Sequence, residues 1–239
     1  KQPQVRAAHG QWHGAAGHHV FACLRWRAQI DGTPVFGGDL ELMRARFERL
    51  HEEADLLLLA GDLTSMGRPS EMEALLEELA EVRVPIVAVL GNHDHQSDAA
   101  QILAALLHDR GVHLLDGTRV VLQLDGRSVG VAGVKGFCGG FAPNVINSFG
   151  EQELKRFIGE GAHEAKKLEA ALADLASDYR VALLHYAPIT ETLGEEPPQL
   201  YAFLGSSLLL RAIESGRVDL VFHGHAHLGR HEGRSPSGV

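Results

Sequence analysis

Two cysteines in 239 residues, Cys23 and Cys138, are too few for a disulfide framework and too far apart for a CxxC metal pair. That usage fits a reducing compartment, and cytoplasm is the expected location. Basic residues are in deficit: 22 Lys plus Arg stand against 31 Asp plus Glu, for a formal charge of −9. Such a surface repels nucleic-acid backbones and anionic membranes, so a phosphate-bearing partner needs a local positive centre. No apolar run approaches the 18 or so residues of a bilayer span. The longest, Leu56–Ala60 and Val84–Leu90, are short and end in glycine. The apolar piece near Val20–Leu24 is too brief for a signal peptide and runs straight into Arg25, Trp26 and Arg27. No membrane partner is expected, and nucleic acid is not expected as a bulk surface partner.

What remains is ordinary globular usage, 45% hydrophobic and 22% charged. An α/β fold commonly reaches about 200–250 residues as one unit, so a single domain over residues 1–239 is expected, with residues 1–50 atypical. The chain starts at Lys1 without Met and stops soon after its last His pair, so a truncated end is one expectation. The compositional oddity is 15 histidines, a first hint of metal chemistry.

Periodicity predicts an amphipathic helix from Leu40 to Ala54, with Asp39 as N-cap and Leu42, Phe47 and Leu50 on its apolar face. The run Leu56–Ala60 reads as a buried strand. Ser70 with Glu73 reads as a capping box opening a helix through about Glu81, and Val84–Leu90 as a second strand. Strand, helix, strand implies parallel pairing. A helix capped by Ser97 follows, Asp98 to Asp109, then a short strand Val112–Leu115. Val120–Leu124 and Ser128–Val134 flank Asp125-Gly126, a two-residue hairpin signal, which makes the sheet mixed. Lys135 to Gly150 reads as a long irregular loop covering a site, and Glu151 to Ser177 as a charged helix interrupted near Gly159 and Gly161. A strand Val181–Leu184, a Pro-rich loop Pro188 to Pro198, a helix near Ser206 to Ser215 and a strand Val218–Phe222 complete the pattern, with a coreless tail from Gly229.

Four strand ends share one design, an apolar run that stops and at once presents metal-type ligands: Gly61-Asp62, Gly91-Asn92-His93-Asp94, His185, and Gly224-His225-Ala226-His227. Ligands of open α/β sheets collect outside the carboxyl ends of strands, so these tips can converge. Asp62 offers two anionic oxygens and can bridge cations, Asn92 a neutral oxygen, and the histidines imidazole nitrogen, a mixed N and O set suited to Zn, Mn or Fe rather than Ca. His225 and His227, two apart, project to one side if their segment is extended. The remaining histidines singled out, among them His51, His95, His113 and His163, lack a strand-end context and read as surface residues or as supports behind the ligands. Lys135 reads as a solvated lysine, since no P-loop ending follows it, and Cys138 as a small buried or loop residue.

In type, order and strand context these blocks resemble the calcineurin-like metallophosphoesterases, over roughly residues 50 to 228. The resemblance implies a four-layer α/β/β/α sandwich, two mixed sheets flanked by helices. It implies a phosphomonoester or phosphodiester hydrolase acting through metal-bound hydroxide at a dinuclear site on a small phosphate ester. Asp62 becomes the bridging ligand, Asn92, His185 and His225 complete one metal site, and His227 belongs to the other. His93 becomes the acid or transition-state stabiliser beside the leaving oxygen, and Asp94 its orienting partner. Paired cations also supply the local positive centre an acidic protein needs.

One block does not match. The family opens with a strand ending in Asp-x-His, and no such tripeptide precedes Asp62. The segment Val5 to Gly14 keeps the histidine as His13 but puts Gln11 where the carboxylate belongs; Gly38-Asp39-Leu40-Glu41 keeps a carboxylate and loses the histidine. A missing anionic ligand weakens the second metal site. The alternative reading is therefore a degenerate, weakly active or inactive relative that keeps the fold and at most one metal and serves as a binding or scaffold protein.

Overall fold

The computed structural model describes residues 4–7, 12–14, 17–19, 21–24, 47, 50–52 and 54–235. Its fourteen strands in chain order are β1 (Gln4–Ala7), β2 (Trp12–Gly14), β3 (Gly17–His19), β4 (Phe21–Leu24), β5 (Leu56–Ala60), β6 (Ile86–Val89), β7 (His113–Leu114), β8 (Thr118–Leu124), β9 (Arg127–Val134), β10 (Gly140–Phe141), β11 (Asn144–Val145), β12 (Tyr179–Leu184), β13 (Leu220–His223) and β14 (Glu232–Gly233). Among the described residues, the α-helices described over their full length are α1 (Pro69–Glu78), α2 (Ala100–Asp109), α3 (Gln152–Ala173), α4 (Tyr201–Leu204) and α5 (Ser207–Ser215). Asp39 and Leu42 lie outside the described residues, while Phe47 and Leu50 are helical and buried.

Six strands form one sheet in the order β14-β1-β13-β12-β9-β8, and four form another in the order β4-β5-β6-β7. Both are mixed: β1, β13, β12 and β9 run parallel, as do β5, β6 and β7, while β14, β8 and β4 are antiparallel to their neighbours. Side-chain alternation assigns the faces. Leu56, Leu58, Val87 and Val89 of the smaller sheet pack with Val131, Val181, Leu183 and Phe222 of the larger, which makes a layer between the sheets. The opposite faces meet helices: Leu57, Leu59 and Ala88 pack with Met72, Leu75, Leu103 and Leu107, and Ala132, Ala182 and Val221 pack with Leu168, Leu172, Leu209 and Ile213. Four layers, α/β/β/α, follow from these contacts. Strands buried on both faces explain why Leu56–Ala60 and Val181–Leu184 read as unbroken apolar runs.

Several local expectations are corrected. Helix α1 begins one residue before Ser70 and does not use Ser70 with Glu73; Glu71, at its third position, accepts from the backbone N–H of Arg68 at 3.1 Å and of Met66 at 2.9 Å. Ser97 does not cap α2; its hydroxyl donates to the Met66 carbonyl, and Asp98 sits at φ 54° just before the helix. The 135–150 segment is not wholly irregular: it contains the β10–β11 pair, and Phe141 packs against Ala187 and Leu204. The Asp125-Gly126 hairpin forms as expected, with φ 48° and 75° at its tip.

The supposed break near Gly159 and Gly161 is absent. Helix α3 is continuous, and Gly161 serves close packing instead: a Cβ there would stand 2.7 Å from the Cys138 carbonyl oxygen, whereas nothing lies within 4 Å of one at Gly159. Opposite outcomes follow for one substitution. Gly159→Ala is expected to stabilise by about 0.5–1 kcal/mol through helix propensity, and Gly161→Ala to destabilise by about 1–3 kcal/mol through overpacking. Denaturant midpoints of the two variants check this, and equal shifts contradict the packing assignment.

Candidate metal centre

Where the parallel strands of the two sheets end, the backbone turns sharply. Gly61 leaves β5 at φ 87° and Asp62 follows at φ 51°, a left-handed conformation that Asp tolerates better than most residues. The space is tight. A Cβ on Gly61 would meet the His185 ring at 2.5 Å, and one on Gly91 would lie 2.1 Å from Asp62 Oδ1. Glycine at both positions is what lets the loops after β5 and β6 nest.

Asp94 holds them together. Its carboxylate, fully buried, accepts from the N–H of Leu63 at 3.1 Å, of Thr64 at 2.8 Å and of Gly91 at 2.8 Å, and from the Thr64 hydroxyl at 2.7 Å. In return Asp62 Oδ1 accepts from the His93 N–H at 2.9 Å. Burial pushes the Asp94 carboxyl up to about 6 despite those donors. The Asp94 oxygens are thus taken up by these donors, and the hydrogen-bond partner of the His93 ring is the Ser65 carbonyl, which accepts from Nδ1 at 2.7 Å.

His185 follows β12, its N–H donating to the Lys135 carbonyl at 3.0 Å. Its ring is fully buried, and Nδ1 donates to the Ala60 carbonyl at 2.8 Å, which bridges the two sheets. A carbonyl only accepts, so the proton is on Nδ1, and burial holds the ring below its ordinary pKa. Nε2 therefore presents a lone pair to Asn92 Oδ1 at 2.9 Å and to Asp62 Oδ1 at 3.3 Å.

His225 arrives from the loop after β13. It sits at φ 68° at the centre of a three-residue turn closed by the Ala226 N–H on the Gly224 carbonyl at 2.8 Å. The segment is thus not extended, which corrects the expectation that His225 and His227 point the same way: His225 turns inward and His227 is exposed. Nε2 of His225 donates to the Phe203 carbonyl at 3.2 Å, leaving Nδ1 as the lone-pair nitrogen. Burial, with His185 beside it, pushes His225 down to about 3. Burial works against the Asp62 carboxylate too, yet His185, the His93 N–H and His225 outweigh it and hold Asp62 below the usual range.

Ligand atoms of Asp62, His185 and His225 all lie within 4.8 Å of one another. A carboxylate, an amide oxygen and two imidazole lone pairs converge with no proton shared among them, a donor set that fits a divalent cation such as Zn, Mn or Fe. His227 stands outside this trio. Of the residues considered for a second site, Asp39 lies outside the described residues, as do residues 8–11. His13 falls in β2, which pairs with β3 in a sheet of its own rather than ending a strand of the large sheet. The strand that does occupy the opening position is β1, paired parallel to β13 and ending at Ala7.

The family model for calcineurin-like phosphoesterases matches residues 13–229. The chain belongs to the calcineurin-like phosphoesterase family. Among curated relatives, this phosphoesterase is 32% identical over 81 residues to a probable cyclic nucleotide phosphodiesterase of Synechococcus sp., a match covering 30% of this chain and 32% of that protein, so the chain spans about a third of that relative's length. Among solved structures it superposes on TT1561 of Thermus thermophilus with a TM-score of 0.53 at 19% identity, covering 93% of this chain and 81% of that one. That likeness supports the four-layer fold.

Sequence reasoning missed three features of the phosphoesterase. Lys135 is part-buried rather than a freely solvated lysine: its Nζ donates to the Gly136 carbonyl at 3.0 Å, and it stands 4.9 Å over the Phe137 ring and 5.5 Å from that of Tyr186. Tyr186 in turn packs on His225, ring centroids 4.3 Å apart. His223, which no motif marked, is buried and bonds the Thr192 hydroxyl at 2.7 Å, a structural role. Its place at the end of an apolar strand was the one available signal. Cys138 is buried as expected.

Proposed function

We propose that this phosphoesterase hydrolyses phosphodiester bonds, and phosphomonoesters less well, with a divalent cation bound by Asp62, His185 and His225 and supported by Asn92. The observation that carries the reading is the convergence of those ligand atoms within 4.8 Å. The family match and the phosphodiesterase relative support the choice of phosphorus esters. When bound, a cation of this kind polarises a phosphoryl oxygen and lowers the pKa of water near it. A second cation beside Asp62, reached by His227, is the dinuclear form of the same proposal.

The chain's own residues divide the remaining work. Asp94 fixes both loops, so Asp62 and Asn92 are held before substrate arrives. The Ser65 carbonyl accepts from His93 Nδ1–H and orients the ring, so that the imidazolium form, protonated on both nitrogens, can give its Nε2 proton to the departing oxygen and return to the neutral ring. His185 and His225 are each locked in one tautomer by a carbonyl, which spares reorganisation on binding. Turnover of bis(4-nitrophenyl) phosphate with added manganese tests the reading, together with metals counted per chain by elemental analysis. Asp62→Ala and His225→Ala are expected to lose metal, and His93→Ala to keep it while kcat falls by about 10²–10⁴-fold. Full metal content with no turnover of any aryl phosphate ester would replace this reading by that of a binding or scaffold protein. One metal per chain would remove the dinuclear form.

A pH dependence follows from burial. Protons and cations compete for the same imidazole lone pairs, and a lowered pKa weakens the proton's claim. With His225 down at about 3 and His185 also lowered, metal is expected to stay bound well below the ordinary histidine value, to about pH 5. Metal content after dialysis at stepped pH checks this; release centred near pH 6.5 contradicts it.

A further inference from the structure

The three ligand side chains of the centre are not held equally. Asp62 is fixed between the nested loops, and the fully buried His185 ring by its 2.8 Å bond to the Ala60 carbonyl. His225 has less. It stands part-buried in a three-residue turn at φ 68°, and among the described residues its ring has one hydrogen-bond partner, the Phe203 carbonyl at 3.2 Å. A single bond fixes one point of a ring. The imidazole can still pivot about that point and leave the cluster, because its terminal torsion has broad, shallow wells. A second constraint, on the plane of the ring, is needed.

Two neighbouring rings are in place to supply it. His185 lies 4.8 Å from His225 between centroids, and Tyr186 lies closer, at 4.3 Å and tilted by 45°. Tyr186 also packs edge to face on His185, at 5.4 Å. It is itself firmly seated. Its N–H donates to the Lys135 carbonyl at 3.0 Å, the same carbonyl that takes the His185 N–H, so both residues leave β12 on one anchor. Its side chain is buried, packs on Phe137 at 5.9 Å and has the Lys135 ammonium 5.5 Å from its ring. Gly136 makes room for it, since a Cβ there would stand 3.2 Å from that of Tyr186. The Tyr186 hydroxyl lies beside the Cys138 thiol, which donates to the Phe203 carbonyl at 3.4 Å. The two holds on His225 are thereby tied to each other.

We infer that Tyr186 is a positioning residue of the centre: its ring, packed on both imidazoles, sets the plane of His225 and keeps it within reach of Asp62 and His185 before a cation arrives. The effect belongs to the ring rather than to the hydroxyl, because aromatic pairs gain from the mutual orientation of their faces and edges and the hydroxyl is turned to Cys138. The inference rests on the metal-dependent reading of this site, and its test separates the two.

Cobalt(II) titration of the metal-free full chain, followed by equilibrium dialysis and by the visible absorption of the bound ion, reads the affinity and the geometry of the ligands without turnover. The wild type is expected to bind. Tyr186→Leu is expected to weaken cobalt binding by about 10–100-fold and to alter the absorption bands, as loss of a group that orients a ligand does. Tyr186→Phe, which restores the ring without the hydroxyl, is expected to bind within about threefold of the wild type with the same bands. Leu209→Ala opens a space in the same core cluster and is expected to lower the thermal midpoint of the metal-free protein by at least about 4 °C while leaving cobalt affinity within about threefold. Should Tyr186→Leu fail to fold, Tyr186→Met, which fills the volume without a flat face, carries the same expectation. Leucine or methionine at 186 with wild-type affinity and bands, a phenylalanine variant as weak as the leucine one, or equal weakening by Leu209→Ala each overturn the inference, and a wild type that still holds cobalt and cleaves esters leaves the hydrolase reading intact. The expected pattern in a protein that hydrolyses no ester supports the role of Tyr186 and removes the hydrolase reading; a wild type that takes up no cobalt overturns both.

Discussion

Asp94→Ala is expected to lower the thermal midpoint by about 6–20 °C, corresponding to about 3–5 kcal/mol in a chain of this size. The carboxylate is buried and satisfies four donors, three of them backbone N–H groups that have no alternative partner in a turn. Each buried donor left unsatisfied costs about 1–3 kcal/mol, and water entering the small space recovers part of the sum. Asparagine does not rescue the loss, because its amide would bring two more hydrogens among the donors. Because Asp94 links the loop carrying Asp62 to the loop carrying Asn92, metal affinity is expected to fall together with stability. Differential scanning calorimetry of the metal-free protein isolates the structural part; a midpoint within about 2 °C of the wild type would show that these hydrogen bonds contribute little.

Gly91→Ala is expected to abolish metal binding at the centre, with at least about 100-fold loss of activity. The added methyl would lie 2.1 Å from Asp62 Oδ1 and 2.3 Å from the Asp62 backbone nitrogen. A side chain can swing away, but the main-chain nitrogen follows β5, so relief requires the two loops to part. The carboxylate then leaves the trio, and His185 and His225 are insufficient alone. Circular dichroism separates this outcome from global unfolding, and elemental analysis reads it. A variant that binds metal and turns over normally would mean that the nested loops spread at no cost.

Much of this was written in the local pattern. Strands buried on both faces appear as continuous apolar runs, so Leu56–Ala60 and Val181–Leu184 were legible, and so were the polar residues at their ends. The Asp125-Gly126 hairpin was legible because only a few dipeptides accept two left-handed residues in succession. Most of what failed did so because a deciding partner was distant in sequence. Gly161 looks like a helix breaker until the Cys138 carbonyl is seen against it. Lys135 looks like a surface lysine until its ammonium is seen over the rings of Phe137 and Tyr186. Asp94 neighbours His93 along the chain, yet its oxygens turn to Leu63 and Thr64 from the loop after β5.

The sequence by itself determined the fold class, the family resemblance and the candidate ligands Asp62, Asn92, His185 and His225, because strand burial and strand-end chemistry are properties of short segments. Tertiary structure alone decided that His225 enters the cluster while His227 stands outside its described trio, since a single positive-φ turn separates them. It also decided which nitrogen of each histidine carries the proton, because the carbonyls of Ala60 and Phe203 that fix those tautomers come from other parts of the chain.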